Sequence, residues 1–368
     1  MSEARALYRY SMGKPLQMGP LKLAAPMMQA GLAGYSDRAM RLVARRRGCP
    51  YAVTEAILDR TLLAGGKGLT NSIDINDEDH PVAGQIMGSE PSEMADAAAI
   101  LAGHGYDVID LNFACPVKKV KNKARGGWML SDLERGVAIL RAVRQRLPDH
   151  PLSLSTRRGF DETPQSLERF WHLCEAAREL GFVGLRVHGR TVEQKYAGRS
   201  RRPFLGDVKR TFTDWCIWGS GDVFEPEDVL EMLDTGVDGV WIARGAIGNP
   251  WIFRDAAKLL ESDVVSPPPP PTVAEQREAL EEHFDIAMQI HGESLAGRRM
   301  RKIGIKYARY HPQAPEVKKR FIAVRGLDTW RGVLDDFYAH DAPGVRPPRD
   351  VVDEVNTCDP AEPAAAGA

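Results

Sequence analysis

The feature of this sequence that most limits its fold is a series of short apolar segments that recur about every 25–40 residues. Most of them are almost continuously apolar rather than alternating, which is typical of parallel strands buried on both faces. The eight predicted strands are Leu21–Met27, Tyr51–Glu55, Pro81–Met87, Asp107–Asn112, Pro151–Thr156, Gly181–His188, Asp214–Gly219 and Val237–Ala243.

Amphipathic segments between these strands predict helices. The predicted helices are Glu93–His104, Ser131–Leu147, Ser166–Leu180 and Glu227–Thr235. Ser131 with Glu134 predicts a capping box, and Pro226 suits the first turn of its helix. Eight strand–helix units over about 240 residues match the size of a (β/α)8 TIM barrel. A doubly wound sheet is less favoured, because no glycine-rich fingerprint follows the first strand. We therefore predict an α/β fold, a TIM barrel followed by an all-helical domain.

The boundary between the two domains is marked by proline. The barrel pattern ends near Leu260, and five consecutive prolines follow at Pro267–Pro271. Such a run continues neither a helix nor a central strand. We expect a barrel domain at residues 1–262, a linker at 263–271 and a helical domain at 272–340. Residues 341–368 are rich in Pro, Ala, Asp and Glu, so a disordered tail is expected there.

Composition narrows the class of protein. Of 368 residues, 43% are hydrophobic and 27% charged, as in ordinary globular proteins. The net charge of −1 carries no signal for a partner. The N-terminus lacks the apolar stretch of a signal peptide, and no apolar run reaches the ~18 residues that cross a bilayer. The five cysteines are odd in number and form no CxxC pair. We therefore expect a cytoplasmic protein with reduced thiols, no zinc site or other metal, and no membrane contact.

Polar or glycine residues follow nearly every predicted strand, at the end where TIM barrels carry their active sites. Gly219–Asp222 (GSGD) follows the seventh strand, and Ala243–Gly245 (ARG) follows the eighth. GSGD alone is compatible with a simple strand-to-helix turn. With ARG on the next strand, it predicts a phosphate site, because the loops after strands seven and eight hold phosphate in this fold.

Three further side chains at strand ends are candidates for chemistry. Cys115 follows the fourth strand, and a lone cysteine is most often a small core residue. Its position favours a nucleophile or a proton donor, and the lack of a histidine nearby in the sequence favours the acid. His188 ends its strand and is either a structural residue or a ligand-facing donor. Gln85 ends an apolar strand, where its amide needs a partner that a bound heterocycle would supply.

Two regions of the sequence are strongly basic. The first follows Cys115 and contains Lys118, Lys119, Lys121, Lys123 and Arg125. The second, Arg298–Arg331, holds 11 basic and 2 acidic residues, a local charge of +9. Tyr307, Tyr310, His311, Phe321 and Trp330 are interleaved with these bases. A charge run is usually a solvated helix face, but so large an imbalance in a near-neutral chain favours contact with nucleic acid.

The strand ends together resemble the tRNA-dihydrouridine synthase family, over roughly Leu21–Tyr338. The segments that carry the resemblance are APMM, PVAGQIMG, DLNFACPVKKV, RRGFD, HGRTVEQKYAG, GSGDVFEPED, ARGAIGNPWIF and MRK. The resemblance implies a divergent member with an FMN-binding TIM barrel and a helical domain that helps to hold tRNA. It also implies NADPH as the electron donor and a monomer. The sequence alone leaves rRNA open as an alternative substrate.

The resemblance assigns roles to individual residues. It implies that hydride reaches C6 of a uracil from FMN while Cys115, the catalytic residue, protonates C5. The implied cofactor-binding residues are Pro26, Met27, Met28, Gln85, Asn112, Ser155, His188, Ser220, Gly221, Asp222, Ala243 and Arg244. The expected RNA-binding residues are Lys119, Lys121, Lys123, Arg298, Arg301, Lys302 and Lys306, of which the arginine–lysine pair at 301–302 matches the family motif.

The sequence departs from the family pattern in several places. Ser155 stands where the family typically has a lysine beside the flavin, so a hydrogen bond is kept and a charge is lost. Flavin affinity and reduction potential are expected to differ, unless Arg157 or Arg158 replaces the lysine. The first loop is longer than usual, and Ile303 replaces a histidine. Two alternatives remain open: an FMN barrel acting on a small molecule, like dihydroorotate dehydrogenase or an ene-reductase, and an RNA-binding protein that has lost catalysis.

Overall fold

The computed structural model describes residues 15–66, 69, 73–116, 125–261 and 266–348. Its strands are β1 (Leu16–Met18), β2 (Leu21–Leu23), β3 (Met27–Gln29), β4 (Ala52–Val53), β5 (Ile57–Leu58), β6 (Val82–Met87), β7 (Val108–Phe113), β8 (Leu152–Arg157), β9 (Gly184–His188), β10 (Cys216–Ser220) and β11 (Gly239–Ile242). Parallel pairing runs in the order β4–β3–β11–β10–β9–β8–β7–β6, and β4 pairs with β6 to close an eight-stranded barrel. The predicted TIM barrel is confirmed.

The chain enters the barrel through a hairpin that the sequence pattern did not separate from the first strand. The predicted strand Leu21–Met27 is wrong in its bounds, because β2 pairs antiparallel with β1 and the first barrel strand is β3. Met18 and Leu23 of this hairpin are buried with residues of the barrel interior. Their apolar side chains therefore close the amino-terminal end of the barrel, and this burial explains why the segment is apolar.

Helices cover the outside of the barrel and then form a separate lobe. They are α1 (Arg38–Arg45), α2 (Asp59–Ala64), α3 (Pro91–Gly103), α4 (Leu133–Arg146), α5 (Pro164–Glu179), α6 (Arg202–Thr211), α7 (Pro226–Leu233), α8 (Trp251–Leu260), α9 (Val273–His291), α10 (Glu293–Tyr307), α11 (Ala314–Ala323) and α12 (Leu327–Phe337). Pro226 begins α7 as predicted. The capping box at Ser131 is wrong, because Asp132 caps α4 by accepting from the Arg135 N–H at 3.1 Å.

The barrel interior changes character along its axis. At the amino-terminal end it is apolar, with Tyr51, Val108 and Trp218 packed together. Toward the carboxyl ends of the strands it becomes polar, with buried side chains such as Gln85 and Ser155. The opposite face of each strand packs against the helices in the main core. This division places the hydrogen-bonding groups at the mouth, where a TIM barrel carries its active site.

The helical lobe, α9–α12, is docked on the barrel by charged contacts. Asp37, the N-cap of α1, accepts from His291 Nε2 at 2.8 Å and from Arg299 Nη1 at 3.1 Å. Burial alone would raise the pKa of Asp37, but the His291 hydrogen bond and the charge of Arg299 lower it to about 2. A second contact pairs Arg47 with Glu282 at 2.6 Å. The lobe is therefore held close to the loop that follows β3.

The segment after α12 does not fit the tail expected from residue 341. The N–H of Val273 donates to Ala342 O, and the N–H of Val345 donates to Tyr310 O, both at 2.9 Å. Arg346 Nη2 donates to Pro268 O at 2.6 Å. These hydrogen bonds fasten residues 342–346 to the lobe and the linker, while residues 349–368 lie outside the described residues. In the described part of the chain, no helix has the length and apolarity to cross a membrane.

Candidate active site

The structure gathers most of the predicted site residues at the carboxyl ends of the barrel strands. Gln85 lies on β6, Asn112 on β7, Ser155 on β8, His188 on β9 and Ser220 on β10. Met28 is fully buried in the barrel interior, whereas Met27 packs in the outer core beneath the helices. The parallel arrangement explains this gathering, because all eight strands end at the same rim.

A chain of hydrogen bonds runs across β6, β7 and β8. Gln85 Nε2 donates to Asp110 Oδ2 at 2.7 Å, and Gln85 Oε1 accepts from Asn112 Nδ2 at 2.7 Å. Ser155 Oγ donates to Asp110 Oδ2 at 2.7 Å. The amide of Gln85 is therefore satisfied by the protein itself. A bound heterocycle is therefore not needed as the partner of Gln85 Oε1 or of its first N–H, and only its second N–H remains for a ligand.

Cys115 lies in the loop directly after β7 and is half-buried. Its N–H donates to Asn112 Oδ1 at 3.0 Å, and its carbonyl oxygen accepts from the Gly127 N–H at 2.9 Å. Gly126 has a φ of +58°, and a side chain there would meet the Cys115 Cβ at 3.0 Å. The thiol is thus held at the rim of the barrel rather than in the core. The predicted basic residues Lys118, Lys119, Lys121 and Lys123 fall outside the described residues.

Arg157 fixes the loop that carries the cysteine. Its Nε donates to Ala114 O at 2.7 Å, and its Nη1 donates to Thr191 O at 3.0 Å and Lys195 O at 2.8 Å. Burial lowers the pKa of Arg157 to about 10. Arg158 donates to Gly189 O at 2.9 Å instead. Both arginines donate to backbone carbonyl groups, and neither bonds Asp110, the carboxylate that Ser155 contacts.

A cleft opens at the ends of β9, β10 and β11. It is lined by His188, Ser220, Gly221, Asp222, Val223, Phe224, Trp241, Ala243 and Arg244. Gly221 has a φ of +116°, and a Cβ there would lie 2.2 Å from Ser200 Oγ. A Cβ at Gly245 would lie 2.2 Å from Val223 O. Only glycine therefore fits these two turns, which bring backbone close to the cleft.

The charged groups around the cleft are arranged by Asp222. This residue has a φ of +55°, an uncommon conformation for a side chain other than glycine. Its Oδ2 accepts from the Ser200 N–H at 2.7 Å and from Arg190 Nη2 at 2.8 Å. The guanidinium of Arg244 stacks 4.7 Å from the ring centre of Tyr196. The carboxylate of Asp222 thus holds Ser200 and Arg190 in place. The backbone of Asp222, and not its side chain, is suited to face an anion.

His188 is held as a neutral imidazole. Burial lowers its pKa well below the ordinary value, and the positive charges of Arg157, Arg190 and Arg244 lower it further. The Arg190 N–H donates to His188 Nδ1 at 3.2 Å. A neutral ring that accepts at Nδ1 carries its proton on Nε2. His188 therefore offers one N–H donor to a ligand in the cleft.

The residues that line this cleft fit the phosphate of FMN. The two glycine turns pack directly against Ser200 and Val223, and Gly221 lines the cleft together with Arg244. Trp241 lines the cleft, and within the described residues its buried indole N–H has no acceptor. A bound acceptor group would satisfy it. The donors available at the cleft are cationic or N–H groups, which is the chemistry that a phosphate requires.

Comparison with known proteins settles the relationship. The sequence model of the dihydrouridine synthase (Dus) family matches residues 23–335. This chain belongs to the dihydrouridine synthase family. The tRNA-dihydrouridine synthase B of Xanthomonas campestris pv. campestris is 31% identical over 334 residues, which are 90% of this chain and 98% of that protein. The protein of the same name from Pseudomonas aeruginosa is 31% identical over 325 residues, covering 88% and 96%.

A solved structure supports the fold of this dihydrouridine synthase family member. The crystal structure of TcOYE with pHBA superposes with a TM-score of 0.51 at 12% sequence identity, covering 68% of this chain and 93% of that one. At so low an identity the likeness concerns the fold alone. It agrees with the closed barrel described above.

The predicted RNA-binding residues of this family member divide between two environments. Lys302 Nζ lies 3.5 Å from the ring centre of Tyr35 and 3.3 Å from Gly34 O, and burial lowers its pKa. Lys302 therefore turns toward the barrel, whereas Arg298 and Arg301 are exposed and Lys306 is half-buried. The interleaved aromatic residues of the lobe are all buried, so they form its core instead of a stacking surface.

The lobe also supports the cleft, which the sequence pattern did not predict. Arg309 Nη2 donates to Ile247 O at 3.0 Å, in the loop after β11. Arg346 Nη1 lies 3.4 Å from Glu225 Oε2, just beyond the β10 turn. A count of basic residues could not distinguish these inward-facing arginines from exposed ones. Neither arginine lies within an α-helix, since Arg309 belongs to the short 3-10 segment after α10 and Arg346 follows α12, so helical periodicity could not have predicted their direction.

Proposed function

We propose that this protein reduces the C5=C6 bond of specific uridines in tRNA to dihydrouridine, with bound FMN and with NADPH as electron donor. One observation carries the proposal. In the closed barrel, β7 and β11 lie four strands apart in either direction, so Cys115 after β7 faces the Arg244 side of the cleft across the mouth. Two relatives that are 31% identical to this chain over most of its length are named tRNA-dihydrouridine synthase B.

Cys115 acts in this proposal as the general acid. Its thiol proton goes to C5 of the uracil, and the thiolate that remains takes a proton from solvent before the next turnover. FMN, when bound, supplies the hydride that C6 receives. Arg157 and Asn112 hold the loop of Cys115, so the thiol is presented from a fixed backbone. A positioned acid of this kind contributes about 10²–10⁴-fold to a rate.

The other side chains at the mouth have binding roles. His188 and Arg244 would hold FMN, with Ser220, Gly221 and Ala243 giving backbone contacts at its phosphate. Gln85 and Asn112 would meet the ring. Neutral His188 donates from Nε2 to an acceptor on the cofactor. The charge on Arg244, already stacked on Tyr196, offsets the charge of the phosphate.

The substrate uracil must leave the RNA stack to reach the mouth, at a cost of a few kcal/mol. Exposed Arg298 and Arg301 on α10 are the described residues best placed to offset this cost by contacting phosphates. We propose three parts of the chain: an FMN-binding barrel at residues 1–262, a linker at 263–271 and an RNA-binding lobe at 272–340. We place the protein in the cytoplasm as a monomer.

Dihydrouridine mapping tests the proposal directly. Mass spectrometry of tRNA and rRNA from cells with and without the gene should show one or more tRNA dihydrouridines that depend on it. Purified protein with NADPH should then modify transcribed tRNA and leave free uridine and orotate unchanged. Modification of rRNA alone would change the substrate, and turnover only on free pyrimidines would overturn the proposal in favour of a small-molecule reductase.

A further inference from the structure

A fully buried ion pair lies beneath the mouth of the barrel. Arg186 on β9 and Asp110 on β7 are both 0% exposed, and Arg186 Nη1 bonds Asp110 Oδ1. Arg186 Nη2 also donates to Tyr51 Oη at 2.9 Å. Removing two charges from water costs more than their attraction usually returns, so a buried pair is weak support for stability. The ion pair lies directly beneath the candidate active site, which indicates a role in the function of that site and not in stability.

The hydrogen bonds from this pair have a fixed direction. An ionised carboxylate only accepts, so Asp110 requires Gln85 to turn its NH2 group toward it. The carbonyl oxygen of Gln85 must then face Asn112, which donates from Nδ2 at 2.7 Å. The side-chain oxygen of Asn112 accepts from the N–H of Cys115 at 3.0 Å. The charge on Asp110 at one end and the backbone N–H groups of Ala114 and Cys115 at the other therefore fix the orientation of both amides, and the chain connects Asp110 to the loop of the cysteine.

The position of Arg186 explains the unusual serine on the neighbouring strand. Ser155 and Arg186 are partners in the register of β8 and β9. Both side chains bond the same carboxylate, Ser155 at Oδ2 and Arg186 at Oδ1. This chain thus carries its buried cation one strand away from the position where the family resemblance led us to expect a lysine. The carboxylate keeps a cationic partner although residue 155 is neutral.

We propose that Arg186, acting through Asp110, is a positioning residue that orients Gln85 and Asn112 as hydrogen-bond donors toward the cofactor and fixes the loop of Cys115. The inference rests on the proposed function. With Asp110 ionised, each amide has a second N–H that an acceptor on a ligand can take. The ligand favoured by this arrangement is a flat heterocycle with carbonyl oxygens, such as the pyrimidine edge of a flavin.

The first experiment compares two buried arginines. In Arg186→Met, the affinity of the apoprotein for FMN should fall about tenfold or more, because a buried acceptor loses its partner and the amides lose their orientation. The visible spectrum of bound FMN should shift, and its reduction potential should become more negative beside an uncompensated carboxylate.

Arg41→Met is the matched control. Arg41 is also buried and also paired with an aspartate, Asp79, with Nε 3.0 Å from Oδ1, but it lies on α1 outside the barrel interior. This variant should lose stability and keep the FMN affinity, spectrum and potential of the wild type. If Arg186→Met also keeps all three, or if the two variants change them equally, the positioning role is overturned.

A second experiment moves the cation back to β8. The double variant Ser155→Lys with Arg186→Met should recover most of the FMN affinity and the potential, since a lysine at 155 starts from a side chain that already bonds Asp110. Ser155→Met with Arg186→Met keeps similar bulk without the charge and should recover neither. Equal behaviour of the two double variants would contradict the proposal.

Asp110→Asn covers the case in which Arg186→Met does not fold. It preserves shape, but the new NH2 group would face the NH2 group of Gln85 while Arg186 bonds the oxygen, so FMN affinity should again fall about tenfold. An unchanged affinity and spectrum in this variant would overturn the inference. Dihydrouridine formation by the wild type separates the two proposals. If the wild type binds FMN but modifies no RNA, the proposed function is refuted, and the FMN measurements still test the role of Arg186. A wild type that takes up no FMN overturns both.

Discussion

The barrel mouth and the basic helix α10 both collect polar side chains, but the two regions hold them in different ways. At the mouth, Gln85 and Asn112 are buried and bond one another through fixed strands. On α10, Arg298 and Arg301 extend into solvent, while Lys302 on the same helix packs against Tyr35. The buried side chains of the mouth therefore have one fixed geometry. The exposed side chains of α10 instead provide positive charge without a fixed position. Substitutions should therefore have large, specific effects at the mouth and small, salt-dependent effects on α10.

The largest effect is expected at Cys115. Cys115→Ala should retain FMN and its reduction by NADPH, but the rate of dihydrouridine formation should fall about 10²–10⁴-fold because the acid is lost. Single-turnover rates with prereduced enzyme and tRNA measure this step. Cys174→Ala, at a fully buried thiol in α5, serves as the control and should keep the wild-type rate. Normal turnover of Cys115→Ala would exclude the acid role.

The next effect concerns the glycine turn at the cleft. Gly221→Ala should weaken FMN binding about tenfold or more, because the new Cβ overlaps Ser200 and the strained backbone must move away from the phosphate. Titration of apoprotein with FMN measures the change. Gly236→Ala is the matched control, since Gly236 also has a positive φ of +98°, but a Cβ there would meet none of the described residues within 4 Å. Equal losses of FMN affinity would show that backbone strain, and not the cleft, is responsible.

A salt titration of tRNA binding should distinguish the exposed face of α10 from the face that packs on the barrel. Arg301→Ala should weaken tRNA binding a few-fold and lower the slope of log affinity against log salt by about 1, with little change in thermal stability. Lys302→Ala should instead lower the thermal unfolding midpoint, because it removes the contact with Tyr35 and Gly34. If Lys302→Ala reduces the salt slope and Arg301→Ala does not, the division of α10 into two faces is wrong.

The smallest expected effect is the pH dependence at His188. Its folded pKa lies well below the unfolded value of about 6.5, so the unfolded chain binds a proton that the folded chain does not. This contribution to stability is fully present above pH 6.5 and is lost as pH falls below it. In His188→Gln, the free energy of unfolding should fall less steeply between pH 6.5 and 5 than in the wild type. Identical slopes in urea unfolding would contradict a neutral, buried His188.

The same comparison shows what could be predicted from the sequence. The barrel followed from buried parallel strands, and the cleft followed from GSGD and ARG, because glycine turns at strand ends depend on local sequence. The hairpin β1–β2 was missed because Leu21–Leu23 is followed directly by the apolar residues that lead into β3, so the two strands looked like one. The pairing of Asp110 with Arg186 was missed because the two residues are 76 positions apart, and the motif that contains Asp110 does not indicate its partner. The inward direction of Lys302 was missed because charge was counted along the chain and not around the helix.

The contacts of Arg309 and Arg346 have a consequence for how such an enzyme can change during evolution. Both arginines belong to the part of the chain beyond the proline linker, yet they contact the loop after β11 and the turn after β10. A lobe grafted from another relative would bring its own side chains to these positions. A chimera with a new RNA preference would therefore also have different contacts around its prosthetic group. RNA preference and binding of the prosthetic group should thus change together more readily than separately.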